Sequence, residues 1–224
     1  STVRQINTGA SHTFTRKMQV ENSAVVTEVQ VGQRSPELQA VLMVIDSLIQ
    51  PQFYNDLRTS QQLGYIVNSG MTGLEKTLGL IFIIQSGEYN SATLEQRMDA
   101  FLEKFNDSLK ELPNAELNNI KKSVLNSKLQ KTTSVTAEAG RLFTLAFENN
   151  AEFDANSQEI RALEELTRED IMDVVNSYLR PSKQRKLILR MSGKDHDAGN
   201  SAGELISSIA KFKARYACPE KCLP

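Results

Sequence analysis

The chain has 224 residues, enough for one large domain or two small ones with a real core. Hydrophobic residues make up 40%, charged residues 24%, and the net charge is −1, so no general attraction for nucleic acid or for an anionic membrane follows. No apolar run is long enough to span a bilayer, and the opening residues STVRQINTGASHTF lack the apolar region of a signal peptide.

In chain order, TFTRKMQV and SAVVTEVQVG alternate loosely and predict two strands and a turn. Asn22 can tolerate the positive φ that a tight turn asks for. The period then changes. Leu38, Val41, Leu42, Ile45, Leu48 and Ile49 fall on one helical stripe, with Ser35 as N-cap and Pro36 at the first helical position. Pro51 is expected to end this helix or to start a short second one carrying Phe53, Tyr54 and Leu57. Gly64 closes the helical stretch. YIVNSG and LGLIFIIQS read as strands joined by MTGLEKT.

The strongest helical pattern runs from about Ser91 to Leu112, through Leu94, Met98, Phe101, Leu102, Phe105 and Leu109. Pro113 breaks it, and Asn114 can cap a further helix to about Gln130. Another is predicted from Ser134 to about Asn149, and a shorter one around Ile160 and Leu163. TRED is a Thr-x-x-Asp capping box that opens a helix through Ile171, Val174, Val175 and Tyr178. RKLILRM is a last strand, SGKDHDAGNSAG reads as a solvated linker, and a C-terminal amphipathic helix follows. Strands thus separate from a run of helices, which is the α+β pattern. Cys218 and Cys222 lie at the very end. They read as free thiols on a tail, with a small loop across Pro219 or a bridge between chains as alternatives.

Catalytic parts are scarce. The two histidines, His12 and His196, have no partner at HExxH or HxxEH spacing. Asp195, His196 and Asp197 cluster, but in a polar loop without the support that a metal site needs. No GxSxG elbow and no phosphate loop occurs.

The stretch LRTSQQLGYIV, residues 57–67, stands out. Arg58 offers five donors in a planar fork that stays charged, and a peptide backbone is a row of acceptors. Tyr65 can donate its phenolic O–H to a carbonyl oxygen as negative charge develops there. Gly64 lets the backbone turn from helix to strand between them. The competing reading pairs Arg58 with Asp56 or another acid and makes Tyr65 a half-buried strand aromatic. Strand alternation would place Tyr65 and Val67 on one face, Ile66 and Asn68 on the other.

FYNDLRTSQQLGYIV, the strand LGLIFIIQS and the helix LEQRMDAFLEKF together resemble the C-terminal domain of the pitrilysin/insulysin zinc metallopeptidases. LTREDI and ISSIAKFKARYACP add to the resemblance, which runs from about residue 15 to the end. It implies one of four homologous α+β domains around an enclosed chamber. It also implies that Arg58 and Tyr65 reach the substrate backbone near the cleaved bond. The zinc, bound by HxxEH and a distal Glu, would sit in the N-terminal catalytic domain of a parent protein, with no cofactor in this chain.

The expectation is therefore a single domain over residues 1–224, a largely antiparallel sheet with helices packed on one face. Residues 192–203 would form a flexible linker to a C-terminal helix at 204–216. Arg58 and Tyr65 would bind substrate, and Tyr65 would assist catalysis in trans to the zinc domain, with Gly64 permitting the turn. The partners implied are a peptide substrate and the other domains of the same peptidase, with no nucleic acid and no membrane. An isolated domain would expose an apolar patch and tend to self-associate. The alternative is a structural or interaction domain that only completes the chamber or docks a partner. An independent hydrolase is a third reading; it requires chelator-sensitive cleavage by this chain alone, and none is expected without a ligand set.

Overall fold

In the computed structural model, residues 5–74, 76–130, 133–147, 153–201 and 203–216 are described. The strands are β1 (Ser11–Lys17), β2 (Ser23–Gln33), β3 (Ile66–Leu74), β4 (Thr77–Ser86), β5 (Lys186–Ser192) and β6 (Glu204–Leu205). They form one sheet in the order β3-β4-β2-β5-β1-β6. The β3/β4, β4/β2 and β2/β5 pairs are antiparallel, and β1 runs parallel to both β5 and β6. The sheet is thus largely antiparallel, as expected.

Burial follows the pleat. Val25, Thr27, Val29 and Val31 of β2 point to one face and are buried, while the alternate residues are half-buried on the other. The buried face, continued by Val67, Leu80, Phe82, Ile84 and Ile188, packs against helices α1 (Pro36–Phe53) and α2 (Ser91–Glu111). Phe53 of α1 joins the layers, 5.4 Å from Phe82 on β4 and 5.2 Å, edge to face, from Phe101 on α2. Helices α3 (Asn114–Leu129), α4 (Val135–Phe147), α5 (Ala155–Glu165) and α6 (Arg168–Val174) follow.

The helix starts at Ser35 and Thr167 match their sequence signals, whereas Asn114, expected as a cap, is the first residue of α3, and Pro113 stands at the N-cap with no side-chain cap bond. The Ser35 side chain accepts from the Leu38 N–H at 3.2 Å, and Asn90 caps α2 by accepting from Thr93 at 2.8 Å. At α6 both halves of the capping box form. The Thr167 N–H donates to Asp170 at 2.8 Å and the Asp170 N–H to Thr167 at 3.2 Å.

Several expectations are corrected. β1 and β2 are not a hairpin, because β5 lies between them. Nor does Asn22 take a positive φ. Residues 18–22 instead wrap the end of β5, where Met18 and Lys194 make main-chain bonds at 2.8 Å to Ser192 and Val20. Gly193 is needed there, since a Cβ would lie 1.9 Å from the Glu21 carbonyl oxygen. Pro51 sits inside α1 rather than at its end. It removes one donor, and the buried Leu48, Ile49, Phe53 and Leu57 carry the helix past it by packing.

The segment expected as a free linker is anchored. The buried Arg190 guanidinium donates to the carbonyls of Ala198 and Asn200, His196 bonds Ser23 at 2.7 Å, and Ser201 donates to Thr13 at 2.7 Å. The helix expected at 204–216 is shorter, α7 (Ile209–Arg215), because Glu204 and Leu205 join the sheet as β6. Cys218 and Cys222, and the expected end of the helix near Asn149, lie outside the described residues.

Helix α7 is held at the β1 edge by His12. That imidazole is hydrogen-bonded to the Tyr216 hydroxyl, packs edge to face on Phe212 at 5.0 Å, and lies 3.6 Å from Glu204. Burial holds His12 below its ordinary value, Glu204 pulls it upward, and Arg215 pushes it down again. A depressed folded-state pKa means that neutral His12 stabilises the docked helix. That contribution is complete above about 6.5, the unfolded value, and is lost as pH falls through the folded one.

Two outcomes check this description. Phe53→Ala should lower stability by about 3–5 kcal/mol in urea unfolding, because it empties the junction of three elements. Amide exchange in α7, corrected for intrinsic rates, should lose protection as pH falls below about 6.5, and His12→Gln should abolish that pH dependence.

Candidate functional site

After Phe53 the helix widens into a π-helical turn, Tyr54–Ser60. The Gln61 N–H donates to the Asp56 carbonyl five residues back at 2.9 Å, and the Leu63 N–H to Leu57 at 3.0 Å. Such single π turns recur at functional sites. Leu57 and Leu63 are both buried and pin the segment to the core at two points. Between them Gln62 adopts φ 52°, the left-handed region that a non-glycine residue enters only under constraint.

Gly64 follows, and its reason differs from the expected one. Its φ is not positive; the sharp turn is made at Gln62. What Gly64 permits is contact. A Cβ there would sit 1.8 Å from the carbonyl oxygen of Gln85 and 3.1 Å from the Cα of Ser86. The main chain entering β3 therefore lies directly on the end of β4, where no side chain fits.

Tyr65 emerges from this junction 85% exposed. It precedes the first residue of β3, so strand alternation does not govern it, and Val67 two positions on is buried. The Arg58 guanidinium carbon lies 5.7 Å from the centre of the Tyr65 ring, a cation–π distance. Asp56, the acid offered as an alternative partner for Arg58, accepts instead from the Gln61 side chain at 3.1 Å. Arg58, half-buried, and the exposed Tyr65 are thus brought together just ahead of β3. Chemically, the pair can present several donors to carbonyl oxygens of one extended ligand.

Gln62 carries no sequence signal, since glutamine is not a residue that favours left-handed backbone. The only hint of the turn is that Leu57 and Leu63, two core residues, bracket it. Tyr54, expected with Phe53 and Leu57 on an apolar helix, is 49% exposed at the other end of the same turn.

Neither histidine builds a metal centre. His12 is held under α7, and His196 bonds Ser23. Among the described residues no group of three or more His, Cys, Asp or Glu is placed to hold a metal ion.

Known proteins share this framework. Residues 44–143 match the family described as PQQ synthase PqqF-like, C-terminal lobe domain 4. The chain is 26% identical over 203 residues to the A-factor-processing enzyme of Saccharomyces cerevisiae, covering 86% of this chain and 20% of that one. It is 28% identical over 185 residues to insulin-degrading enzyme of Homo sapiens, covering 82% and 18%. The chain therefore spans about a fifth of the length of these relatives. Among solved structures, pitrilysin superposes with a TM-score of 0.81 over 96% of this chain and 23% of its own, at 21% identity, which shows the shared fold.

Gly64→Ala tests the junction. The methyl group cannot be placed without separating β3 from β4, so a loss of about 2 kcal/mol or more is expected in chemical unfolding. Gly70→Ala, where a Cβ meets nothing within 4 Å, should change stability little.

Proposed function

We propose, from the likeness of this chain to the C-terminal domain of the pitrilysin/insulysin zinc metallopeptidases, that it is a substrate-gripping module of a peptide-cleaving enzyme. That likeness stands in sequence and in fold. The relatives are peptidases several times longer than this chain, so the proposal places it within a larger protein. The observation that carries the reading is the pairing of the half-buried Arg58 with the exposed Tyr65, side by side just before β3.

In this reading Arg58 holds carbonyl oxygens of the substrate in register through its planar fork. Tyr65 donates to the oxygen of the scissile carbonyl, a bond that strengthens as charge accumulates there in the tetrahedral transition state. The cation beside the ring favours the polarised phenol and keeps it in place. In this reading a zinc ion is held by another module of the larger protein, where it would activate water. This chain by itself is then inactive.

A second reading has its own observation. On α4, Val135, Phe143 and Phe147 are 89%, 58% and 76% exposed. An apolar helix face of this kind is suited to burial against another domain of the same protein. The module would then complete a chamber, and Arg58 and Tyr65 would be incidental to turnover.

Kinetics of the full-length enzyme separate the two. Tyr65→Phe should lower kcat about 100-fold, the scale of one lost oxyanion donor, with folding and zinc content unchanged. Arg58→Ala should act mainly on KM, and Arg58→Lys should not restore it. If both variants alter only stability or assembly, the chamber-completing reading holds instead.

A further inference from the structure

In the π turn that carries Arg58, main chain and side chains are tied over the same five-residue spacing. The Gln61 N–H donates to the Asp56 carbonyl at 2.9 Å, and the Gln61 side-chain amide donates to the Asp56 carboxylate at 3.1 Å. The Ser60 hydroxyl donates to the Asn55 carbonyl at 3.2 Å. Across a regular α-helix, side chains meet at spacings of three or four, not five. The clasp between Asp56 and Gln61 therefore forms only when the turn is wide, and it favours the wide form over the α-helical one. Arg58 lies inside the clasped segment, and the left-handed Gln62 follows it directly.

Stability alone does not account for the clasp. The Gln61 amide oxygen is buried and accepts no hydrogen bond from the described residues. A carboxylate only accepts, so the amide nitrogen must be the end that faces Asp56, and the oxygen is left behind. A buried acceptor without a donor costs free energy, and an unbranched apolar side chain of the same length would avoid that cost. Here it stands next to a backbone held at φ 52°. Unsatisfied groups and strained backbone persist together where geometry matters more than stability.

We propose that Asp56 and Gln61 are positioning residues for substrate binding. Their clasp holds the π turn open, so that the Arg58 guanidinium stays beside the Tyr65 ring, 5.7 Å from its centre. The inference rests on the substrate-gripping reading above and adds to it two residues that act through Arg58. If the turn closed to α-helical spacing, one residue would be taken out of it. Its two sides would then rotate by about 100° relative to one another. Arg58 would leave Tyr65, and the carbonyl oxygens of the substrate would lose the fork that holds them. The clasp thus sets the strength of binding, while the donor that acts on the reacting carbonyl remains Tyr65.

The test uses the full-length enzyme and a short, internally quenched peptide. Gln61→Met keeps the side-chain length and removes both the donor and the buried oxygen. KM should rise about tenfold and kcat should change less than about twofold, with resistance to urea equal to the parent's or higher. Asp56→Ala opens the clasp from its other half and should raise KM by a similar factor. In an Arg58→Ala background neither change should raise KM further, because both act through Arg58. An unchanged KM in both variants overturns the proposal, and so does a rise that persists undiminished in the Arg58→Ala background. Lowered resistance to urea with KM unmoved also overturns it and leaves the clasp a purely structural feature. These failures leave the gripping reading standing wherever Arg58→Ala by itself raises KM. If Arg58→Ala leaves KM unchanged, the gripping reading fails and the clasp proposal falls with it.

Discussion

The contact between Gly64 and the end of β4 governs the rest of the site. Two backbones meet there at a separation that excludes even a methyl group. Because the chain must press onto Gln85 and Ser86, it cannot continue smoothly from α1 into β3. It widens into a π turn, passes through a left-handed Gln62, and delivers Tyr65 just ahead of the first paired residue. A side chain in the strand at that position would have been directed by the pleat. One residue earlier it is free to stand in solvent beside Arg58.

The strain of that passage is offset by apolar anchoring. Leu57 and Leu63 lie on either side of the irregular segment, both buried, and Phe53 immediately before them is in contact with two other elements. Burial of such side chains contributes about 1.5–3 kcal/mol each, against about 1–3 kcal/mol for one residue held in a sparsely populated region. The site is therefore a rigid feature of the core's edge rather than a loop tip. That suits a pair of side chains whose proposed task is to hold donors at fixed positions.

The same economy appears at the other end of the sheet. A polar stretch rich in glycine and aspartate is tied down because Arg190, fully inside, needs acceptors and finds them in the carbonyls of Ala198 and Asn200. A buried guanidinium without partners would be costly, so the segment that supplies them is ordered by the requirement. The result closes one edge of the sheet with β6 and α7. At the opposite edge β3 is the terminal strand, its Ser69 carbonyl accepting from the Gln50 side chain of α1.

Local signals along the chain settled much of this. The helix starts at Ser35 and Thr167 follow from capping chemistry, and the stripes of α1 and α2 and the strands β4 and β5 follow from periodicity, because those interactions span only a few residues. The resemblance carried by LRTSQQLGYIV likewise singled out Arg58 and Tyr65. Tertiary structure alone decided that β5 enters between β1 and β2, that Pro51 is passed over, and that residues 193–201 are anchored. Those outcomes depend on contacts between segments far apart in sequence, whose burial outweighs local preference. It also decided that Arg58 leans on Tyr65 rather than on Asp56, and that Gly64 is required by a neighbouring strand and not by its own dihedral angles. No reading of residues 57–67 in isolation contains the carbonyl of Gln85.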